Sequence, residues 1–149
     1  MARVLVACTA GLDPDRDAAV YAAGIDASRF PNLYVLDRYC TANPDSWVPD
    51  NSTCHSAIPL DVRDALESEL GQEVTFVSDA PAWAAGIFYR FSRIEYEGSR
   101  ATFALDWREL PVLGCEGAGT QVVEFNGERW VKVEGDAGTR ILFSCTTTD

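Results

Sequence analysis

Histidine and lysine are almost missing from this sequence. His55 is its only histidine, and Lys132 is the only lysine among 12 basic residues. Any Ser-His-Asp chemistry would have to use His55, and no G-x-S-x-G elbow presents a serine to it. No G-x-G-x-x-G follows the first apolar stretch, "RVLVACTAG", so a dinucleotide loop is excluded. No C-x-x-C pair occurs, which argues against a zinc site made from Cys40, Cys54, His55 and a later cysteine. Apolar runs of about 18 residues, the length that spans a bilayer, are absent. So are internal repeats and low-complexity tracts. Positive charge is scarce as well: 12 basic residues against 23 acidic ones leave a net charge of −11. A nucleic-acid partner is excluded on that ground, as is docking on anionic lipid, because both need clustered Lys and Arg.

What is present suits one globular domain. The chain has 149 residues, 47% of them hydrophobic and 23% charged, enough to bury a core. "GLDPDRDAAVYAAGI" predicts a helix. Asp13 can cap it, Pro14 suits its first position, and Asp15 and Asp17 lie near the positive end of the dipole. "NLYVLDRYC" alternates like a strand, and the Pro-rich "TANPDSWVPDNST" reads as a loop. "IPLDVRDALESELG" has helical spacing through Ile58, Val62, Ala65, Leu66 and Leu70, with Gly71 as its stop, and "VTFVSD" follows as a short strand.

The second half reads as β. "FSRIEYEGSRATFALDW" predicts a hairpin turning at Gly98-Ser99, with Glu97 opposite Arg100 and Tyr96 opposite Ala101. One face then carries Ile94, Tyr96, Phe103, Leu105 and Trp107. The other, with Arg93, Glu95, Arg100 and Asp106, is expected to be wet and charge-paired. Asn126-Gly127 predicts a second, two-residue hairpin placing Glu124 opposite Arg129 and Val123 opposite Trp130. "TRILFSC" is a last strand. The expected fold class is α+β, two helices packed on a curved antiparallel meander, with a cystatin-like or NTF2-like arrangement as analogy.

Five cysteines are present. Leu5-Val6-Ala7-Cys8 matches a lipobox, whose cysteine receives acyl chains after cleavage. The apolar core before Cys8 is too short for a working signal peptide. Residues 1–11 are therefore expected to be a truncated lipoprotein-signal-like segment and tether, and 12–149 the single domain. The alternative is a strand ending in a free Cys8. The remaining four cysteines can pair in three ways, and the local pairing, Cys40 with Cys54 and Cys115 with Cys145, is favoured. The first of these closes a ring worth on the order of 3 kcal/mol by loop entropy. Disulfides imply an oxidising compartment.

The remaining motifs are weak. Asp13, Asp15 and Asp17 open like a calcium loop, but Ala18 and Gly24 stand where Gly and Glu are required. Pro14 stands where a cysteine-phosphatase loop starting at Cys8 needs arginine. Trp107 and Trp130 fall on predicted strands. Trp47 and Trp83 fall in loops, where aromatics can anchor a ligand or fold back on the core. Asn51-Ser52-Thr53 is a glycosylation sequon that a bacterial source would leave idle.

In their order, "VYAAGI", "LYVLDRYC", "IPLDVRDALESEL", "VTFVSD" and "GERWVKVEG" resemble a group of small secreted or lipid-anchored proteins of GC-rich Gram-positive bacteria, over most of residues 18 to 135. The resemblance implies a signal peptide ahead of the domain and supplies no catalytic residue. The expected function is an extracytoplasmic, lipid-anchored, non-enzymatic module. It needs no cofactor and binds a protein or small ligand in the cell envelope, with Trp47 and Trp83 as candidate anchors. One alternative is a small extracytoplasmic hydrolase using His55 with Asp37 or Asp45. The other is a cytosolic α/β protein with a free Cys8.

Overall fold

The computed structural model describes residues 13–25, 32–41, 53–81, 84–110, 114–134 and 140–145. Among these residues the fold is α+β, with two helices packed on one face of a mixed, mostly antiparallel sheet.

Helix α1 (Pro14–Gly24) starts where the sequence predicts. Asp13 is extended, and its carboxylate accepts the Arg16 N–H at 3.1 Å. Helix α2 (Leu60–Leu70) has no side-chain cap; it ends at Gly71, which takes the left-handed φ of 66°. Glu67 on α2 accepts the Val74 N–H at 3.0 Å, which ties the helix to the strand after it.

Strand β1 (Leu33–Leu36) is followed by β2 (Arg38–Cys40), β3 (Cys54–Ala57), β4 (Val74–Val77) and β5 (Gly86–Phe91). Then come β6 (Glu95–Glu97), β7 (Arg100–Leu110), β8 (Cys115–Phe125), β9 (Trp130–Lys132) and β10 (Arg140–Cys145). The main sheet runs β10-β8-β7-β5-β1-β4, with β6 beside β7 and β9 beside β8. The expected meander forms its antiparallel part. At the other end β1 pairs in parallel with both β4 and β5, so the sheet is mixed rather than wholly antiparallel. The β1-to-β4 connection carries α2 across the sheet, the long crossover that parallel pairing requires. The chain leaves the sheet at Asp37, and β2 pairs with β3 in a separate two-stranded ribbon.

The core lies between helices and sheet. Tyr21 and Val20 of α1 and Leu66 of α2 meet Val35, Tyr89, Phe91, Phe103 and Val123. Each large side chain buried there contributes about 1.5–3 kcal/mol. Gly24 lets α1 approach closely: a Cβ there would lie 2.6 Å from Phe103 Cζ. On the other sheet face a smaller cluster joins Leu36, Phe88, Cys40 and Cys54.

Two disulfides staple the fold, Cys40–Cys54 and Cys115–Cys145, the local one of the three connectivities. Each joins residues directly opposite each other on antiparallel strands.

Two sequence expectations change. Asp106 is not on a wet face. It is buried with Arg90, its partner across β5 and β7, in two hydrogen bonds of 2.8 Å. The Asn126-Gly127 hairpin has a longer turn. Asn126 Oδ1 accepts the N–H groups of both Glu128 and Arg129, so Phe125 faces Trp130 and Glu124 faces Val131. Arg100 on β7, not Arg129, is the cation beside Glu124, at 3.3 Å. Moving the register by two keeps Trp130 on the core face, because side chains alternate with period two.

Cys8, Trp47 and Trp83 lie outside the described residues. Within them, no helix is long and apolar enough to cross a membrane.

Candidate functional site

Strands β5 and β6 are one strand interrupted by a bulge. Phe91 faces Leu105 on β7, and Glu95 faces Thr102, so one residue on the bulged side is extra. Ser92 holds the irregularity. Its N–H donates to Ala104 O, and its hydroxyl accepts the Ala104 N–H at 2.8 Å while donating to Arg93 O at 2.9 Å. The extra residue reverses which positions face the helices. Before it Tyr89 and Phe91 point there; after it Ile94 and Tyr96 do.

Two tyrosines tie this bulged strand to α1. The Tyr21 hydroxyl donates to Ser92 O at 2.7 Å, and the Tyr21 ring stacks on Phe91 with centroids 4.3 Å apart. The Tyr96 hydroxyl donates to Asp17 at 2.5 Å, and the Arg16 guanidinium lies 3.9 Å above the Tyr96 ring. A third, Tyr39 on β2, sits 6.4 Å from Tyr21, and Arg93 stands 5.0 Å over its ring.

These groups surround a cleft of about 430 Å³ between the first turns of α1 and α2 and the bulged strand. Asp13 and Asp17 come from α1, Asp61 from α2, and Tyr21, Tyr39, Tyr96 and Arg93 complete the walls. Burial pushes the Asp17 carboxyl above its ordinary value, against the opposing pull of the Tyr96 hydroxyl and Arg16. Burial also holds the Tyr21, Tyr39 and Tyr96 phenols above theirs, with the Asp17 charge adding to the effect. The cleft thus offers phenols that stay protonated, carboxylates that accept hydrogen bonds, and one arginine.

A second cleft of about 530 Å³ adjoins it across Tyr39 and Arg93. It is rich in hydroxyls, from Thr53, Ser56, Ser92 and Thr102, and it contains His55. His55 is exposed, and among the described residues no hydrogen bond or ion pair holds its ring. The Ser92 hydroxyl is committed to the bulge. Asp37, the first carboxylate suggested for His55, receives Arg38 Nε at 3.1 Å, and Asp45 lies outside the described residues. Asp13, first of the calcium-like aspartates, is the α1 cap. No group of three His, Cys, Asp or Glu is placed to hold a metal ion among the described residues.

The sequence points to His55 but not to the tyrosine cleft. Its members lie far apart in the chain, Asp17 and Tyr96 being separated by 79 positions. The available signal is tyrosine on a core face: Tyr21 and Tyr96 stand on apolar stripes where a phenol needs a partner. No family model matches the chain, and no curated protein or solved structure matches it either; the cystatin-like or NTF2-like arrangement remains an analogy.

Proposed function

We propose that this chain is an extracytoplasmic, non-enzymatic binding module, tethered through an acylated Cys8, with the tyrosine–carboxylate cleft as its ligand site. The observation that carries the reading is the cleft itself. Its three tyrosines are fixed by packing and hydrogen bonds before any ligand arrives, and such preorganisation lowers the cost of binding. Two disulfides support an oxidising setting. Resemblance to small secreted proteins agrees with it, and acylation of Cys8 would supply the only membrane contact. Trp47, in the Cys40–Cys54 ring, remains a candidate second anchor. The partner is a protein or small ligand of the envelope, and no cofactor is invoked.

A fragment screen read by amide NMR shifts tests the site. Hits are expected to move Asp17, Tyr39, Arg93 and Tyr96. Hits that cluster elsewhere, or none, would end the cleft reading. Cys8→Ser should shift the protein from the membrane to the soluble fraction, and Trp47→Ala should weaken partner capture. Unchanged partition or unchanged capture would remove the anchor or the loop from the proposal.

The hydrolase alternative has one observation in favour, the place of His55 in the adjoining cleft. Against it, among the described residues, neither a serine nor a carboxylate partners the ring.

A further inference from the structure

We infer that the tyrosine–carboxylate cleft binds an organic cation, an alkylammonium or alkylguanidinium group, and that Arg93 occupies the Tyr39 face until such a cation displaces it. The inference rests on the binding-module reading and names the ligand class of that site.

Aromatic faces come first. A cavity of about 430 Å³ holds a small organic group, and tyrosine faces attract cations through the ring quadrupole. The chain already shows this chemistry twice at the cleft. Arg16 lies 3.9 Å over Tyr96, and Arg93 stands 5.0 Å over Tyr39. The two contacts differ in setting. Arg16 is half-buried and lies beside Asp17. Arg93 is exposed, and among the described residues no carboxylate pairs with it, although Asp13, Asp17 and Asp61 line the same cavity. Arg93 also borders the adjoining cleft. Its long side chain therefore has somewhere to go when it leaves the ring.

The charge balance favours a cation over an anion. Asp13, Asp17 and Asp61 outnumber Arg93 among the lining groups, and they still outnumber it when Arg16, over the Tyr96 ring, is counted as well. The net charge of −11 raises the local concentration of cations around the whole molecule. A metal ion fits poorly, since the carboxylates are spread along the walls and no three-ligand cluster forms among the described residues. An organic cation needs no such cluster: its N–H groups donate hydrogen bonds to Asp17 or Asp61, and its alkyl part lies on the rings.

The test is titration of the ¹⁵N-labelled, disulfide-intact protein with four probes: n-butylguanidinium, n-pentanol, n-pentanoate and the capped tripeptide Ala-Arg-Ala. Saturable shifts at Asp17, Tyr39 and Tyr96 with n-butylguanidinium or the tripeptide, and none with the others, are expected. A response to the tripeptide alone assigns the cation to a polypeptide side chain. A response to n-butylguanidinium alone assigns it to a free small molecule. Asp17→Asn should weaken binding about tenfold, the loss of one charge-assisted contact. Asp61→Asn, at an exposed position, should also weaken it and guards against a folding defect in the first variant. Arg93→Ala should tighten binding roughly two- to fivefold, because it removes a competing cation. Tighter binding of the neutral or anionic probe, or weaker binding after Arg93→Ala, overturns the cation assignment and leaves the cleft a binding site. No cleft shifts with any probe at millimolar concentration overturns both.

Discussion

Arg90→Met is expected to destabilise the protein strongly at neutral pH and much less in acid. Arg90 and Asp106 lie opposite each other on β5 and β7, on the face turned from the helices. Their side chains are 2% and 6% exposed, and both contacts are 2.8 Å. Removing the cation leaves a carboxylate in a site from which water is excluded, a change that costs about 3–5 kcal/mol. Burial already pushes the Asp106 carboxyl above its ordinary value, with Arg90 opposing. Without Arg90 the push is larger, although Arg108, two residues along the same face, still favours the charge. The folded variant then holds its proton at pH values where the unfolded chain has lost it. Stability therefore falls as pH rises from the ordinary carboxyl value of 3.8 towards the raised folded value, by about 1.4 kcal/mol per unit. Thermal melts at pH 7.0 and 4.5, with urea denaturation for the free energies, measure this. The loss should be largest at pH 7.0, an approximately 6–20 °C fall in Tm for a chain of this size, and less than half as large at pH 4.5. The double variant Arg90→Met/Asp106→Leu should recover most of it, since an apolar pair replaces a buried ion pair at little cost. A loss that does not change with pH, or a double variant as weak as the single one, refutes this account of the pair.

Gly24→Ala should cost about 1–3 kcal/mol by overpacking against Phe103, read from thermal melts; stabilisation, the usual result of Gly→Ala in a helix, would show that the ring yields. Ser92→Ala strips the Ala104 N–H of its side-chain acceptor and should cost about 1–2 kcal/mol, together with shifted Tyr21 and Tyr39 resonances; an unchanged melt and spectrum would mean the bulge does not depend on that hydroxyl. Alkylation without reductant should label no thiol other than Cys8, by intact mass; any further label contradicts the staples. Removing the Cys40–Cys54 bond by paired serine substitution should cost about 3 kcal/mol, as loop entropy predicts for a ring of this length, and a cost near zero would refute the entropic account.

Local signals were legible and non-local ones were not. Asp13, Pro14 and Gly71 mark helix ends through their own backbone chemistry, so both helices fall where the residues say. Gly98 likewise sets the β6–β7 register. Asn126 misled because its side chain, by accepting two N–H groups, builds a longer turn than the Asn-Gly pair alone specifies. "GIFYRF" lacks the alternation that marks a strand: its run of buried residues includes Arg90, whose charge is tolerated only through Asp106 on another strand. Parallel pairing of β1 with β4 and β5 depends on contacts across long stretches of chain, which no local pattern encodes. The cleft is hidden for the same reason. One extra residue at Ser92 decides which way Tyr96 points, and its effect appears only beside β7.

The cross-strand position of the Cys40–Cys54 bond has a consequence for the ring it closes. Its sulfurs close the neck of residues 41–53 at the point where β2 and β3 already pair. Just inside the bond the Thr41 N–H donates to Thr53 O at 2.9 Å, so the two ends of the ring are held by backbone pairing as well as by sulfur. Lengthening such a loop is cheap, since each doubling costs only about 0.6 kcal/mol of closure entropy. Replacing or lengthening residues within the ring is therefore expected to leave the β2–β3 ladder paired, and a thermal melt of a variant carrying a foreign peptide there would check it.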